Sequence, residues 1–290
     1  SKQGKEVFAE MLASNKMPSV IIKENLSYTD RIAAYRSFSF DSHIEDLYPI
    51  LCTGGALFII PENCRKEIES LHCYMNQNRI TGVGLPTQMA KLLIEDCPHT
   101  NLRYISAGGE KLDNIYSPNI DLINEYGPTE CTVEVSYYTL TKGTRLNSIP
   151  IGRPLPNISC FIIDKNHGIL PHGTVGELAV TGPQLALGYY NNPELTAERF
   201  VDATIGGKPI KIYKTGDLCR WNKDGQLEYI GRIDNQIKLR GFRIELGEIE
   251  SAALQVEGVR QAVAMVRDEQ IVLYYTPSPA DDVNKEALNS

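Results

Sequence analysis

"ITGVGLPTQMAKLLIEDCPHTNLRYISAGG", residues 80–109, decides the fold class. Its opening "ITGV" (80–83) reads as a short strand. "PTQMAKLLIEDC" (86–97) reads as a helix, with Pro86 in its first turn and Met89, Leu92 and Leu93 on one face. "LRYISAGG" (102–109) is a second strand, ending in glycines. Strand, helix and strand on short links imply a parallel sheet, because only a crossover lets the chain return to pair in the same direction.

Upstream, "LFII" (57–60) reads as another buried strand, and "CRKEIESLHCYMNQN" (64–78) spaces Ile68, Leu71 and Met75 as one face of a helix. From about residue 133 the texture turns β-rich: "VEVSYYTL", "SCFIID", "GELAV", and the pair "LCRW" and "QLEYI" joined by "NKDG", a tight hairpin turn. That half implies a barrel-like or distorted β layer. Beyond Asp234 come the strand "QIKLR", a helix from about 246 with Leu246, Ile249, Ala253 and Leu254 on one side, and the strands "QAVAMV" and "IVLYYT". This is the start of a small α+β unit. The polar "SPADDVNKEALNS" (278–290) adds no strand to close a sheet, so the terminal unit reads as incomplete.

With 290 residues, 42% hydrophobic and 22% charged, the chain has enough material for one large domain or two ordinary ones. A formal net charge of −7 argues against nucleic acid as a partner, since polyanion binding needs clustered Lys and Arg. No apolar run reaches the ~20 residues that spanning a bilayer requires, so no membrane partner is expected. "SKQGKEVFAEML" (1–12) lacks the basic head and apolar core of a secretory signal. The seven cysteines are odd in number and form no C-x-x-C pair, which fits neither a disulfide framework nor a zinc ribbon and points to a reducing cytoplasm. Cys64, His72 and Cys73 match no common metal spacing and read as helix packing.

The chemistry is expected in loops after strands, where open α/β sheets bind ligands. In "SAGGE" (106–110) the glycines let a flat ligand pack on bare backbone, or simply make a tight turn. "NEYGPTE" (124–130) offers Tyr126 for stacking a base, Thr129 for a phosphate and Glu130 for Mg²⁺, the alternative being a turn with an exposed acid. "YKTGDL" (213–218) brings Asp217 to a Gly-Asp corner at the end of a short strand, where a carboxylate can accept both ribose hydroxyls. Arg232, one hairpin later, would approach the same sugar or phosphate if the hairpin folds back. Neither a GxGxxG nor a GxxxxGK[ST] loop occurs, so a Rossmann or P-loop reading is poor.

"FDSHIEDLYPILCTGGAL" (40–57), "NEYGPTE", "GELAVTGPQLALGYYNNPELTAERF" (176–200), "YKTGDL" and "GRIDNQIKLRGFRIELGEIE" (231–250) together resemble the ordered core motifs of nonribosomal peptide synthetase adenylation domains. These belong to the adenylate-forming superfamily with acyl-CoA synthetases and luciferase. The resemblance spans about residues 26–275. It implies an α/β large domain with a β-rich layer over residues 1–233, then the beginning of a small C-terminal domain over 234–290. The implied activity is an attack of an amino acid on ATP to give aminoacyl-AMP, followed by transfer to the phosphopantetheine thiol of a carrier protein. Condensation domains in the same synthetase are implied partners.

Residue by residue, the resemblance puts adenine between Tyr126 and Gly108-Gly109, with Asn124 near its amino group and Gly127 in the turn. Thr129 would touch phosphate, Glu130 the magnesium, and Asp217 and Arg232 the ribose. Asp41 would bind the α-ammonium, its alternative being a cap on the helix that follows. The side-chain pocket would comprise Ser42, Glu45, Gly84, Ile105, Ala107, Glu125, Val133 and Glu134. Asp234 would be the hinge of the small domain, Lys238 would face the site in the thioester step or sit on a solvated strand, and Gly241 would let the pantetheine arm approach.

Three carboxylates in one pocket are costly unless paired, so Glu45, Glu125 and Glu134 imply a basic substrate such as lysine, ornithine or arginine. The alternative is that they face solvent or a Lys or Arg of the protein. The family's Ser/Thr/Gly-rich phosphate loop and the lysine of its C-terminal "NGK" segment have no match in these residues. The 290-residue polypeptide by itself is therefore expected to adenylate poorly. The competing classes are an acyl-CoA or aryl-acid ligase, disfavoured by Asp41, and a noncatalytic piece that binds nucleotide or carrier protein.

Overall fold

Four short strands, Arg31–Ala34 (β1), Ala56–Ile59 (β2), Gly82–Pro86 (β3) and Tyr104–Gly108 (β4), pair in parallel in the order β2-β1-β3-β4. Helix α1 (Lys16–Lys23) precedes them, and α2 (His43–Thr53), α3 (Ile68–Gln77) and α4 (Thr87–Asp96) are the crossovers. The computed structural model describes residues 16–97, 100–234, 236–239, 242–267 and 270–277. The chain divides into two units, 1–231 and 232–290.

The decisive stretch folds as strand, helix and strand, with two local differences. The first strand lies over Gly82–Pro86, two residues later than expected, because Thr81 is spent on the preceding corner: its hydroxyl donates to Asp30 Oδ1 and accepts from the Arg31 amide. On α4 the buried positions are Thr87, Ala90, Leu93 and Ile94, while Leu92 is 43% exposed. Of the expected 89/92/93 face, Leu93 is buried and Met89 packs against the core, while Leu92 turns outward. Three-to-four spacing from Ala90 aligns Leu93, Ile94 and the buried Cys97, a choice the apolar pattern alone leaves open.

After β5 (Asp113–Ser117), strand β6 (Asp121–Tyr126) joins β4 in parallel, and β7 (Ser136–Leu140) runs back antiparallel beside β6. The segment expected to open the β-rich layer therefore extends the first sheet. Its link, residues 127–135, is shorter than the roughly one dozen residues a parallel crossover needs. Beside it β5 forms a small ladder with β8 (Thr144–Ser148), and β9 (Arg153–Pro154) completes a seven-stranded sheet, β2-β1-β3-β4-β6-β7-β9.

The second sheet of this unit contains β10 (Ser159–Ile163), β11 (Gly176–Thr181), β12 (Phe200–Ile205), β13 (Lys208–Trp221) and β14 (Leu227–Arg232), with antiparallel pairing in the order β10-β11-β13-β12 and β14 on β13. Helix α5 (Pro193–Arg199) starts at Asn192, whose side chain accepts from the Leu195 amide. "YKTGDL" does not end a short strand: it lies inside the long β13. There Glu177 pairs with Leu218 but Ala179 with Lys214, so a bulge at 215–217 makes the corner without ending the strand.

The second unit holds the hairpin β15 (Gln236–Leu239) and β16 (Phe242–Glu245), helix α6 (Leu246–Ala253), and the antiparallel pair β17 (Val259–Arg267) and β18 (Gln270–Pro277). "FRIE" (242–245) is a strand whose backbone pairs with Gln236–Leu239, and the helix begins at Leu246, where the apolar spacing puts it. Among the described residues no helix is long and apolar enough to cross a membrane.

One apolar core joins α3 and α4 to the first sheet through Leu71, Met75, Val83, Leu85, Leu93, Ile105 and Leu122. Leu93 is fully buried. Leu93→Ala should cost about 2–5 kcal/mol by urea unfolding, whereas Leu92→Ala should stay within about 1 kcal/mol. Equal losses would show that α4 packs on the other face.

Candidate functional site

Successive residues of a strand point to opposite faces. Val83, Leu85, Ile105 and Ala107 belong to the apolar core, so Gly84 and Ser106, between them, face the other way. There they meet Arg36, two residues past the end of β1. A Cβ at Gly84 would lie 2.5 Å from Arg36 Cζ, so only glycine leaves room for the guanidinium. Of the expected pocket positions, the structure brings together Glu45, Gly84, Glu125 and Glu134. It does not bring Ile105 and Ala107 to them, because strand alternation sends both into the core.

Arg36 Nη1 donates to Glu45 Oε2 at 3.0 Å and to the Ser42 carbonyl at 3.4 Å, and lies 3.3 Å from Asp46. Its Nη2 donates to Glu125 Oε2 at 2.5 Å and to Ser106 Oγ at 2.8 Å. Lys23, at the end of α1, has a fully buried side chain whose Nζ donates to Glu125 Oε1 at 2.6 Å and to both oxygens of Glu134 at 3.0 and 3.1 Å. Glu24 lies 3.6 Å from the same ammonium and accepts a hydrogen bond from Tyr104. The three glutamates thus have partners within the protein, which was the alternative to a basic substrate.

Five carboxylates share two cations here, and their protonation follows. Burial alone would drive the Lys23 proton off, but Glu125 and Glu134 outweigh it and hold the ammonium well above its usual range. Burial likewise pushes Glu125 up, and Lys23 and Arg36 overcome it to bring the carboxyl below normal. Glu134 is pushed up by burial to about 7 and Asp46 to about 6, while Glu45 is raised well above normal by burial and then by Glu125 and Glu134. Protons on the less favoured acids relieve the surplus of negative charge.

Asp41 sits at the entry to α2. The residue in the cap position is Ser42, without a side-chain capping bond, and among the described residues the buried Asp41 Oδ2 has no hydrogen-bond partner. An unpaired buried carboxylate oxygen is costly unless a donor reaches it.

Behind these groups, the Tyr126 hydroxyl donates to Asp217 Oδ2 at 2.5 Å, joining the end of β6 to the β13 bulge across 91 positions of sequence. Asn124 is buried and its amide donates to the Pro150 carbonyl at 2.8 Å. Gly127 is required by close approach, since a Cβ there would lie 1.8 Å from the Val133 carbonyl. Thr132 and Val133 both adopt left-handed backbone, with φ of 56° and 70°, a strained pair of the kind found at functional loops. Thr132 Oγ1, donating to the Gln184 carbonyl at 2.7 Å, helps to hold that turn, which delivers Glu134 to Lys23. Thr129 opens the 3₁₀ turn Thr129–Cys131, and Glu130 accepts from the Tyr189 hydroxyl at 2.7 Å.

In the second unit, Arg232 forms a two-pronged pair with Asp234, Nε to Oδ1 at 2.8 Å and Nη2 to Oδ2 at 2.6 Å. The expected ribose contact and the expected hinge are thus partners of each other. Lys238 pairs in register with Arg243 in the hairpin, and Gly241 lies outside the described residues.

The sequence profile of the AMP-binding enzymes matches residues 6–190, more than half of the chain. The chain belongs to the AMP-binding enzyme family. It is 38% identical over 248 residues to tyrocidine synthase 1 of Brevibacillus parabrevis, covering 83% of this chain and 22% of that protein. It is 38% identical over 251 residues to gramicidin S synthase 1 of Brevibacillus brevis, covering 85% of this chain and 23% of that protein. It therefore spans less than a quarter of the length of these curated relatives. Among solved structures, it superposes on holo-PA1221, a protein with adenylation and PCP domains, with a TM-score of 0.79 and 25% identity over 91% of this chain and 48% of that one. The Vibrio cholerae adenylation domain AlmE, in complex with glycyl-adenosine-5'-phosphate, gives 0.78 and 25%, covering 91% and 54%. The chain is thus similar to nonribosomal peptide synthetase adenylation domains in sequence and in fold.

For the divalent cation that adenylation implies, Glu130 offers one hard carboxylate. Among the described residues no group of three His, Cys, Asp or Glu side chains could hold a metal. The donor set fits an ion held by one carboxylate and completed by nucleotide phosphates, the usual habit of Mg²⁺, and does not fit an all-protein cage.

Sequence reasoning missed Lys23, Arg36 and Tyr189. Arg36 had a signal, since three buried acids demand a cation, whereas nothing local connects Lys23 to acids 102 and 111 positions away.

Because Glu134 binds its proton more tightly folded than unfolded, its stabilising contribution is complete below about pH 4.5 and is lost as pH rises to about 7. Between pH 5 and 8 the wild type should lose stability through this group, on the order of 2–3 kcal/mol. Glu134→Gln should flatten that part of the urea-midpoint profile, and an unchanged slope would mean that Glu134 ionises normally.

Proposed function

We propose that this AMP-binding chain activates an amino acid for nonribosomal peptide synthesis. In the first step an amino-acid carboxylate oxygen attacks the α-phosphorus of ATP and pyrophosphate leaves. In the second, the phosphopantetheine thiol of a carrier protein attacks the acyl carbon and AMP leaves, forming a thioester. The observation that carries the reading is the buried, partnerless Oδ2 of Asp41, which suits the α-ammonium of the substrate. A fatty or aryl acid would leave that oxygen unsatisfied.

The nucleotide roles follow. Asp217 would accept ribose hydroxyls, held in place by the Tyr126 hydroxyl, while the Tyr126 ring and the Gly108-Gly109 backbone flank adenine near Asn124. Thr129 would touch phosphate and Glu130 the Mg²⁺, with Tyr189 fixing the carboxylate. In the small domain Arg232 would reach the sugar, Asp234 act as hinge, Lys238 serve thioester formation and Gly241 admit the pantetheine arm. Support for a carrier-protein partner comes from the neighbours that contain adenylation and PCP domains. Condensation domains in the same synthetase complete the proposed setting.

The sequence grounds for a basic substrate, Glu45, Glu125 and Glu134, weaken once Lys23 and Arg36 pair with all three. A lysine, ornithine or arginine substrate loses its support in this arrangement, and the exchange assay tests it.

Asp41→Ala, made in the native polypeptide that carries this chain, should fold normally and lose about 2–5 kcal/mol of kcat/KM in amino-acid-dependent pyrophosphate exchange. Full exchange by the variant would remove Asp41 from substrate binding. Exchange that answers to a fatty or aryl acid but to no amino acid would make this an acyl ligase instead.

A further inference from the structure

Arg36 emerges at the carboxyl end of β1, where an open α/β sheet binds its ligands, and turns its guanidinium across β3, β4 and β6 rather than into solvent. The groups it touches include Ser42, Glu45, Gly84 and Glu125, four of the positions that the family resemblance assigns to the substrate side chain. One nitrogen serves Glu45 and the other Glu125 and Ser106, which is the arrangement that a bound arginine would make with an acid-lined pocket. Its side chain is only 9% exposed.

We propose that Arg36 is a specificity-determining residue, a built-in cation that fills the basic-side-chain subsite and restricts the pocket to small, uncharged amino acids. The substrate part rests on the amino-acid activation reading; occupation of the subsite by the guanidinium does not. Two physical effects act together. The guanidinium takes the volume over Gly84, and it occupies the Glu45 and Glu125 oxygens that a second cation would need. Lysine could not replace it, because a single ammonium lacks the fork that spans two glutamates.

The test uses the native polypeptide carrying this chain, with Arg36→Ala and the volume-preserving Arg36→Met. Removing the guanidinium should open a subsite lined by Glu45 and Glu125. Methylguanidinium should then raise the melting temperature of Arg36→Ala by about 2–4 °C and leave the wild type unmoved. In pyrophosphate exchange the wild type should favour a small neutral amino acid, and Arg36→Ala should shift the ratio of kcat/KM toward ornithine or arginine by about tenfold or more. Should Arg36→Ala fail to fold, Arg36→Met must still shift that ratio, by weakening discrimination against basic amino acids. A wild type that already prefers a basic amino acid overturns the proposal. So does a folded variant with neither methylguanidinium binding nor an altered profile. If no amino acid supports exchange in any variant, the activation reading fails, while the methylguanidinium shift still decides whether Arg36 fills a cation subsite.

Discussion

Two buried cations, Lys23 and Arg36, tie one face of the first sheet together. Isolated, either would be prohibitively costly to desolvate, and so would the glutamates around them. Each therefore demands the other elements: α1 supplies Lys23, the end of β1 supplies Arg36, α2 supplies Glu45 and Asp46, β6 supplies Glu125, and the turn before β7 supplies Glu134. Such a network adds little net stability over an apolar core of the same volume, but losing one partner strands a charge. Its value lies in fixing one arrangement of five elements.

The same demand explains local features that are unfavourable by themselves. Gly84 weakens a central strand by having no side chain, and its absence of a Cβ is what admits the guanidinium. Thr132 and Val133 hold left-handed backbone that a β-branched residue resists, and this bend carries Glu134 back to Lys23. On the opposite face, Tyr126 and Asp217 join the two sheets of the large unit by one short hydrogen bond. Cation network and the Tyr126–Asp217 link therefore share β6, with Glu125 facing one and Tyr126 the other.

Much of this was readable in the chain. Strand, helix and strand around residues 80–109 gave a parallel sheet, and the ordered motifs gave the AMP-binding family that the sequence profile matches. The less legible parts were those in which two chemically reasonable options depend on neighbours. Leu92 and Leu93 are equally apolar, yet only Leu93 faces the sheet. Ser136–Leu140 has the look of any β-rich segment, but the length of the link before it makes it an antiparallel neighbour of β6. Ile105 and Ala107 satisfy the motif spacing and still point to the core, since alternation along β4 is fixed by which face α4 covers.

The sequence by itself determined the class of fold and the family, because periodicity and motif order are local properties of the chain. Tertiary structure alone decided how the charges are matched. Glu45, Glu125 and Glu134 could be identified as neighbours from motif positions, but their counter-ions lie at Lys23 and Arg36, up to 111 positions away. Electrostatic pairing depends on distance in space and on exclusion of water, and neither is written in the order of residues.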